Sequence, residues 1–181
     1  MLRLASSSQT RASILEDAGV EFVQSGVDFD EDSIKASSAK NFVYQATLGK
    51  FEMALKLYDY KELPILVADT VVTSQNKILR KATSEDNARR ILQTQSNSQT
   101  SIITCMMYKS SKLEIIDIST TTYDFAQFDK DDIENYLKSG EWRGKAGACM
   151  VEGFCKKYIK SVKGTQSNAM GLHVELLKAF I

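Results

Sequence analysis

The sequence predicts a mixed α/β fold: one sheet with helices on its faces, in a single domain over residues 1–181. Three observations carry that expectation. Strand-length apolar runs such as "PILVA" and "SIITCMMY" alternate with stretches whose apolar residues recur at helical spacing. Two long segments rich in β-branched residues flank the short turn "SSK", as an antiparallel pair would. A chain of 181 residues suits one core of ordinary density and is too short for two comfortable domains.

The elements follow in order. Met1–Ala5 reads as a short strand, and "SQTRASILEDAG" as a helix with the stripe Ala12, Ile14, Leu15 and Ala18 and a stop at Gly19. Ser6, Ser7 and Ser8 therefore sit at a strand-to-helix corner. "VEFVQSGV" alternates like a strand and leads into the acidic loop "DFDEDS". From Ser38 to Tyr58 a longer period predicts a helix carrying Phe42, Ala46, Leu48, Met53, Leu55 and Leu57 on its apolar side, with Lys50 inside it. "LPILVADTVV" reads as a buried strand ending near Asp69 and Thr70, and "TSQNKILRK" as a hairpin returning to Lys81. "ATSEDNARRILQTQ" opens with capping residues and early acids before the face Ala88, Ile91 and Leu92.

"TSIITCMMYK" and "LEIIDISTTTYDFAQF" form the antiparallel pair, and "DKDDIENYLKSG" is a capped helix closing at Gly140. The tail reads as the glycine-bearing loop "EWRGKAGACMVEG", a strand near "FCKKYIKSV" whose lysines line a solvated face, a turn at "KGTQSN" and a closing helix "AMGLHVELLKAF". A cleft is expected where several of these loops converge.

Charge narrows the function classes. Lys plus Arg and Asp plus Glu each total 23, so no global positive field exists to hold a nucleic-acid backbone, and any anionic ligand needs a local cluster. The uncharged apolar runs fall short of the roughly 20 residues of a membrane span. Residue 1 leads straight into a strand without the pattern of a secretory leader, so a cytoplasmic protein is expected. Cys105, Cys149 and Cys155 are odd in number and lack metal-ligand spacing, which marks them as core residues.

Asp69 follows an apolar strand, where an unpaired carboxylate is costly to bury. One reading makes it a turn cap with Thr70; the other makes it functional, in company with the acidic loop, Lys50, Lys81 and the Ser/Arg corner. Carboxylates beside several cations suit phosphoryl chemistry, because carboxylate oxygens bind a hard ion such as Mg²⁺ while Lys and Arg neutralise phosphate oxygens. A strand-to-helix corner adds free N–H groups and a helix dipole, so "SSSQTR" suits a phosphate. Serines there are also common as plain caps, and neither a Walker A nor a GxGxxG motif occurs. His173 is the single histidine and reads as structural. Trp142 reads as packing, a lid or a base-stacking ring.

In their order along the chain these residues resemble the Maf family of nucleoside triphosphate pyrophosphatases. "LASSSQTRASIL" is similar to the family's opening block, with Ser6, Ser8 and Arg11 on matching positions. "GVDFDED" places Glu31 on its usual glutamate, "LGKFEMA" places Lys50 on the lysine of the long helix, and "VADTVV" carries Asp69 and Thr70. "LRKA" sets Lys81 on the family lysine, although Arg80 and Ala82 replace a glycine and a proline. "GKAGACMVEG" supplies Lys145 and, in place of a glutamine, Glu152; "NAMGLHVELL" resembles the closing block, with His173 in the proline position.

The resemblance implies an elongated mixed sheet with two lobes around a nucleotide cleft, and hydrolysis between the α and β phosphates with a divalent cation, Mg²⁺ or Mn²⁺. It implies Asp69 as base or metal ligand, Glu31 as metal ligand, and Arg11, Lys50 and Lys81 on the triphosphate, with Ser6 and Ser8 completing the cradle and Lys145 in the substrate loop. At the three positions that track the base, members preferring pyrimidines carry Arg, Thr and Gln, and members preferring 7-methyl-GTP carry Trp, Gln and Glu. Here they hold Thr10, Thr70 and Glu152, one match to each class. Glu152 leans the expectation toward a purine or modified purine, because a carboxylate accepts from a guanine edge, while Asp69-Thr70 keeps dTTP and UTP open as the alternative. Dimers occur in the family, so a homodimer is an expectation; neither a membrane nor a nucleic-acid partner is. The competing expectations are a nucleotide-binding regulator with little catalysis, and a scaffold in cell division.

Overall fold

The computed structural model describes residues 1–181, except for the side chain of Asp32, so that part of the acidic loop lies outside the described residues. Seven strands form one mixed sheet: β1 (Leu2–Leu4), β2 (Phe22–Gln24), β3 (Ile65–Ser74), β4 (Lys77–Leu79), β5 (Gln99–Lys109), β6 (Glu114–Phe125) and β7 (Ile159–Lys163). Their order is β2-β1-β3-β5-β6-β7, with β4 paired to β3. β1 runs parallel to β2 and β3, and α1 and α2 supply the crossovers that parallel neighbours require, while β4 and β7 pair antiparallel to β3 and β6. The helices are α1 (Gln9–Asp17), α2 (Ala39–Leu57), α3 (Glu85–Gln95), α4 (Lys130–Ser139), α5 (Gln166–Ala169) and α6 (Val174–Lys178). Among the described residues, no helix is long and apolar enough to cross a membrane.

The chain folds as two compact units, and the division falls inside β3, β5 and β6. The first comprises residues 1–70, 104–119 and 165–181. Its core joins Leu4 of β1, Leu15 of α1, Leu66 of β3, Met106 of β5 and Leu172 and Leu177 near the C-terminus. The second comprises residues 71–103 and 120–164, and its core is aromatic. Phe128 meets the rings of Phe125, Phe154 and Tyr158 at 4.8–5.4 Å, and Tyr136 stacks on Phe154 at 4.5 Å. Trp142 is buried there, its indole N–H donating to Leu137 O at 3.0 Å. Packing is therefore the reading that holds, and no ring face is left for a base. All three cysteines are buried and free, and the Cys149 thiol is pushed above its ordinary value by its hydrogen bond with Cys155 and by burial.

Four expectations need correction. β3 does not end near Asp69 and Thr70 but runs through them to Ser74, because the polar pair interrupts the apolar run without bending the backbone. α2 buries Val43, Ala46, Thr47, Phe51 and Ala54, not the side bearing Met53 and Leu57, which are exposed. Phe154–Tyr158 is a 3₁₀ turn, so Lys156 and Lys157 lie outside the strand. The closing helix is two short ones, interrupted at residues 170–173, where Gly171 takes φ 112°, a value no helix contains.

Candidate active site

In the first unit, the corner after β1 is built by its own serines. Ser8 caps α1 by accepting from Arg11 N at 3.4 Å, and Ser6 Oγ accepts from Ser8 N at 3.2 Å. The amide of Gln24 ties the corner from β2, donating to the carbonyls of Ser6 and Ser8 at 2.8 and 3.2 Å. Thr10 lies half-buried in the first turn of α1.

Arg11 reaches back over this corner. Its Nε donates to Gly171 O at 2.8 Å, one terminal nitrogen to Ser6 Oγ at 3.1 Å and the other to Thr70 Oγ1 at 3.4 Å. Thr104 donates its hydroxyl to Asn168 O at 2.7 Å, so at 3.0 Å its oxygen is left to accept from Thr70. A directed chain thus runs from the guanidinium through two threonines to a backbone carbonyl. Burial pulls the Arg11 pKa below its ordinary value, and the charges of Asp69 and Glu31 oppose that pull.

The two carboxylates meet at one ammonium. Lys50 Nζ, from the middle of α2, stands 2.5 Å from Glu31 Oε1 and 2.8 Å from Asp69 Oδ2. The other Asp69 oxygen accepts from Thr70 N at 2.8 Å. These side chains are 14–29% exposed, buried enough for their attraction to escape most of the screening of surface pairs. Among the described residues there is no group of three or more His, Cys, Asp or Glu placed to hold a metal.

In the second unit, Lys81 is exposed in the coil after β4. Lys145 precedes the 3₁₀ turn Ala146–Ala148, and its Nζ lies 3.8 Å from Glu152 Oε1, an ion pair too long for a direct hydrogen bond. The structure thus gathers Ser6, Ser8, Thr10, Arg11, Glu31, Lys50, Asp69 and Thr70 in one unit, and places Lys81, Lys145 and Glu152 in the other. The sequence reading missed Gln24, Thr104, Asn168 and Gly171. All four act through a carbonyl or as a neutral tether, which leaves no charge pattern to find. It also missed Phe29, whose ring edge packs directly against Gly49 in α2 and so seats the acidic loop beside Lys50.

Compared with known proteins, the whole chain, residues 1–181, matches the family model described as Maf-like protein. A relative from a Nitratiruptor species is 56% identical over 179 residues, covering 98% of this chain and 96% of the relative. One from Helicobacter pylori is 39% identical over 174 residues, covering 96% and 91%. One from Campylobacter jejuni subsp. doylei is 33% identical over 183 residues, covering all of both chains. Each of the three carries the name nucleoside triphosphate pyrophosphatase.

Proposed function

The chain belongs to the Maf family, and from that premise we propose that it is a nucleoside triphosphate pyrophosphatase, releasing a nucleoside monophosphate and pyrophosphate. The observation that carries the reading is Lys50 bridging Asp69 and Glu31 in the unit that also holds the Arg11 corner. Arg11 offers a planar cation and the Ser6–Ser8 corner offers hydroxyls and helix N–H groups, a combination suited to phosphate oxygens. Asp69 is the base in this reading. Water adds to the α-phosphorus, its proton passes to Asp69, and the bond from that phosphorus to the α–β bridging oxygen breaks to release pyrophosphate.

A divalent cation belongs to the same proposal. Asp69 and Glu31 are hard oxygen donors, and Mg²⁺ is commonly held by one or two carboxylates plus substrate phosphates and water, so this pair fits Mg²⁺ or Mn²⁺. Bound there, the cation supplies charge neutralisation to the phosphate oxygens. Lys50 orients both carboxylates, and Lys81 and Lys145 add cations for the triphosphate. A base-and-lysine set of this kind supports turnover over a regulator that only binds nucleotide. A cytoplasmic enzyme and a homodimer complete the proposal.

The test is pyrophosphate release from dTTP, UTP, CTP, GTP and 7-methyl-GTP with Mg²⁺ or Mn²⁺. Asp69→Asn should lower kcat by about 100-fold or more while the protein stays folded. Near-normal turnover in that variant removes Asp69 from the role of base.

A further inference from the structure

The C-terminal part of the first unit contains a side-chain cluster that the proposed reaction does not use. Along β6, Ile115, Asp117 and Ser119 face inward, while Ile116 and Ile118 face out. His173 Nδ1 lies 2.9 Å from Ser119 Oγ and 3.1 Å from Asp117 Oδ2, and the Ser119 hydroxyl donates to Asp117 at 2.8 Å. With the proton on Nδ1 every member of this triangle is satisfied: the ring donates to Asp117 and Ser119, and Ser119 donates to Asp117. Serine and aspartate share one ring nitrogen, so the imidazole cannot relay a proton between them as it does in a hydrolase triad. The arrangement holds the ring in place.

What it holds is the interruption between α5 and α6. Residues 170–173 have left the helical ladder, and Gly171 N and Leu172 N turn back to Asn168 O and Ser167 O at 3.1 and 3.0 Å. Two residues before His173, the Gly171 carbonyl accepts from Arg11 Nε at 2.8 Å. The fit is close, since a Cβ on Gly171 would stand 3.3 Å from Thr70 Oγ1 and 3.4 Å from Arg11 Nε. Anchoring the Nε–H sets the plane of the guanidinium and therefore the direction in which its remaining N–H groups point.

We propose that His173, clamped by Asp117 and Ser119, is a positioning residue for Arg11, acting through the Gly171 carbonyl. The proposal rests on reading Arg11 as a cation for the triphosphate. His173 sits at φ −80° and secures this segment through its side chain.

The test is a cycle of wild type, His173→Ala, Arg11→Ala and the double variant, read by steady-state kinetics and by the Arg11 Nε–H resonance in ¹⁵N NMR. His173→Ala should raise KM about fivefold with kcat held within about twofold, and should add nothing once Arg11 is absent. It should also shift the Arg11 Nε–H signal and speed its exchange with water. An equal rise in KM in the Arg11→Ala background, or an unmoved Nε–H signal, overturns the proposal. Asp117→Asn, which keeps the shape and removes the charge, is read in the same way if His173→Ala does not fold. Should wild type release no pyrophosphate, the functional reading fails while the Nε–H signal still decides the positioning role.

Discussion

The three ions that meet at Lys50 each have an answering group. An isolated carboxylate in an apolar strand is costly to bury, yet both oxygens of Asp69 are engaged, one by Thr70 N–H and one by Lys50. In the proposed reading, Glu152, in the second unit, bears on the choice of base. Its carboxylate only accepts, which matches the N1–H and amine of guanine, whereas an amide both donates and accepts, as uracil and thymine require. Lys145 at 3.8 Å leaves Glu152 without a short bond to that lysine, so its oxygens are open to a new donor. Glu152→Gln keeps the shape and exchanges the pattern. The expected outcome is a swing of about tenfold in kcat/KM from guanine toward pyrimidine triphosphates. An unchanged substrate profile would assign base choice to another residue.

At the scale of elements, α2 shows how a local cost serves a site. Gly49 in the interior of this 19-residue helix costs about 1 kcal/mol relative to alanine. The space it leaves is taken by the ring of Phe29, two residues before Glu31, so the acidic loop is seated one residue from Lys50. Gly49→Ala gains helix propensity but expels the ring. Thermal stability should change little, and kcat should fall about tenfold as Glu31 loses its approach to Lys50. Full activity in the variant would show that the loop needs no such seat. The extent of α2 was readable from its period, but its buried face was not. Apolar residues occur on both sides of the helix, and only packing decides between Phe51 and Met53. The short stripe of α1 has no such ambiguity, and Ala12, Ile14 and Leu15 are buried as expected.

Over the whole molecule, the charged residues of the candidate site could be read from the chain because each stands out against its surroundings: a cation inside an amphipathic helix, a carboxylate after an apolar strand. The carbonyls of Gly171 and Asn168 could not, because every residue carries a carbonyl and only the fold selects which ones are used. With a formal net charge of zero, stability also depends on local groups, and their titration sets its pH limits. On the acid side, Lys157 and Tyr158 hydrogen bonds lower Asp132, and the Arg89 hydrogen bond lowers Glu134. A lowered folded pKa gives stability that is complete above the ordinary values of 3.8 and 4.5 and is lost as pH falls below them. On the alkaline side, burial first of all pushes Cys105 up to about 11 and Tyr123 up to about 12. Here the folded state holds the proton more tightly, so the contribution is complete below the ordinary values of 9.0 and 10.0 and is lost as pH rises toward the folded ones. The melting temperature should therefore form a plateau between these limits and fall on both sides. Tyr123→Phe isolates one part of the alkaline limb, because it deletes the titrating hydroxyl and keeps the ring that stacks on Phe125 at 5.6 Å. At pH 7 the variant should melt near wild type, and between pH 10 and 12 it should lose about 2 kcal/mol less stability in urea titrations. Parallel losses in the two proteins would show that Tyr123 already ionises freely in the folded state and that the limb arises elsewhere.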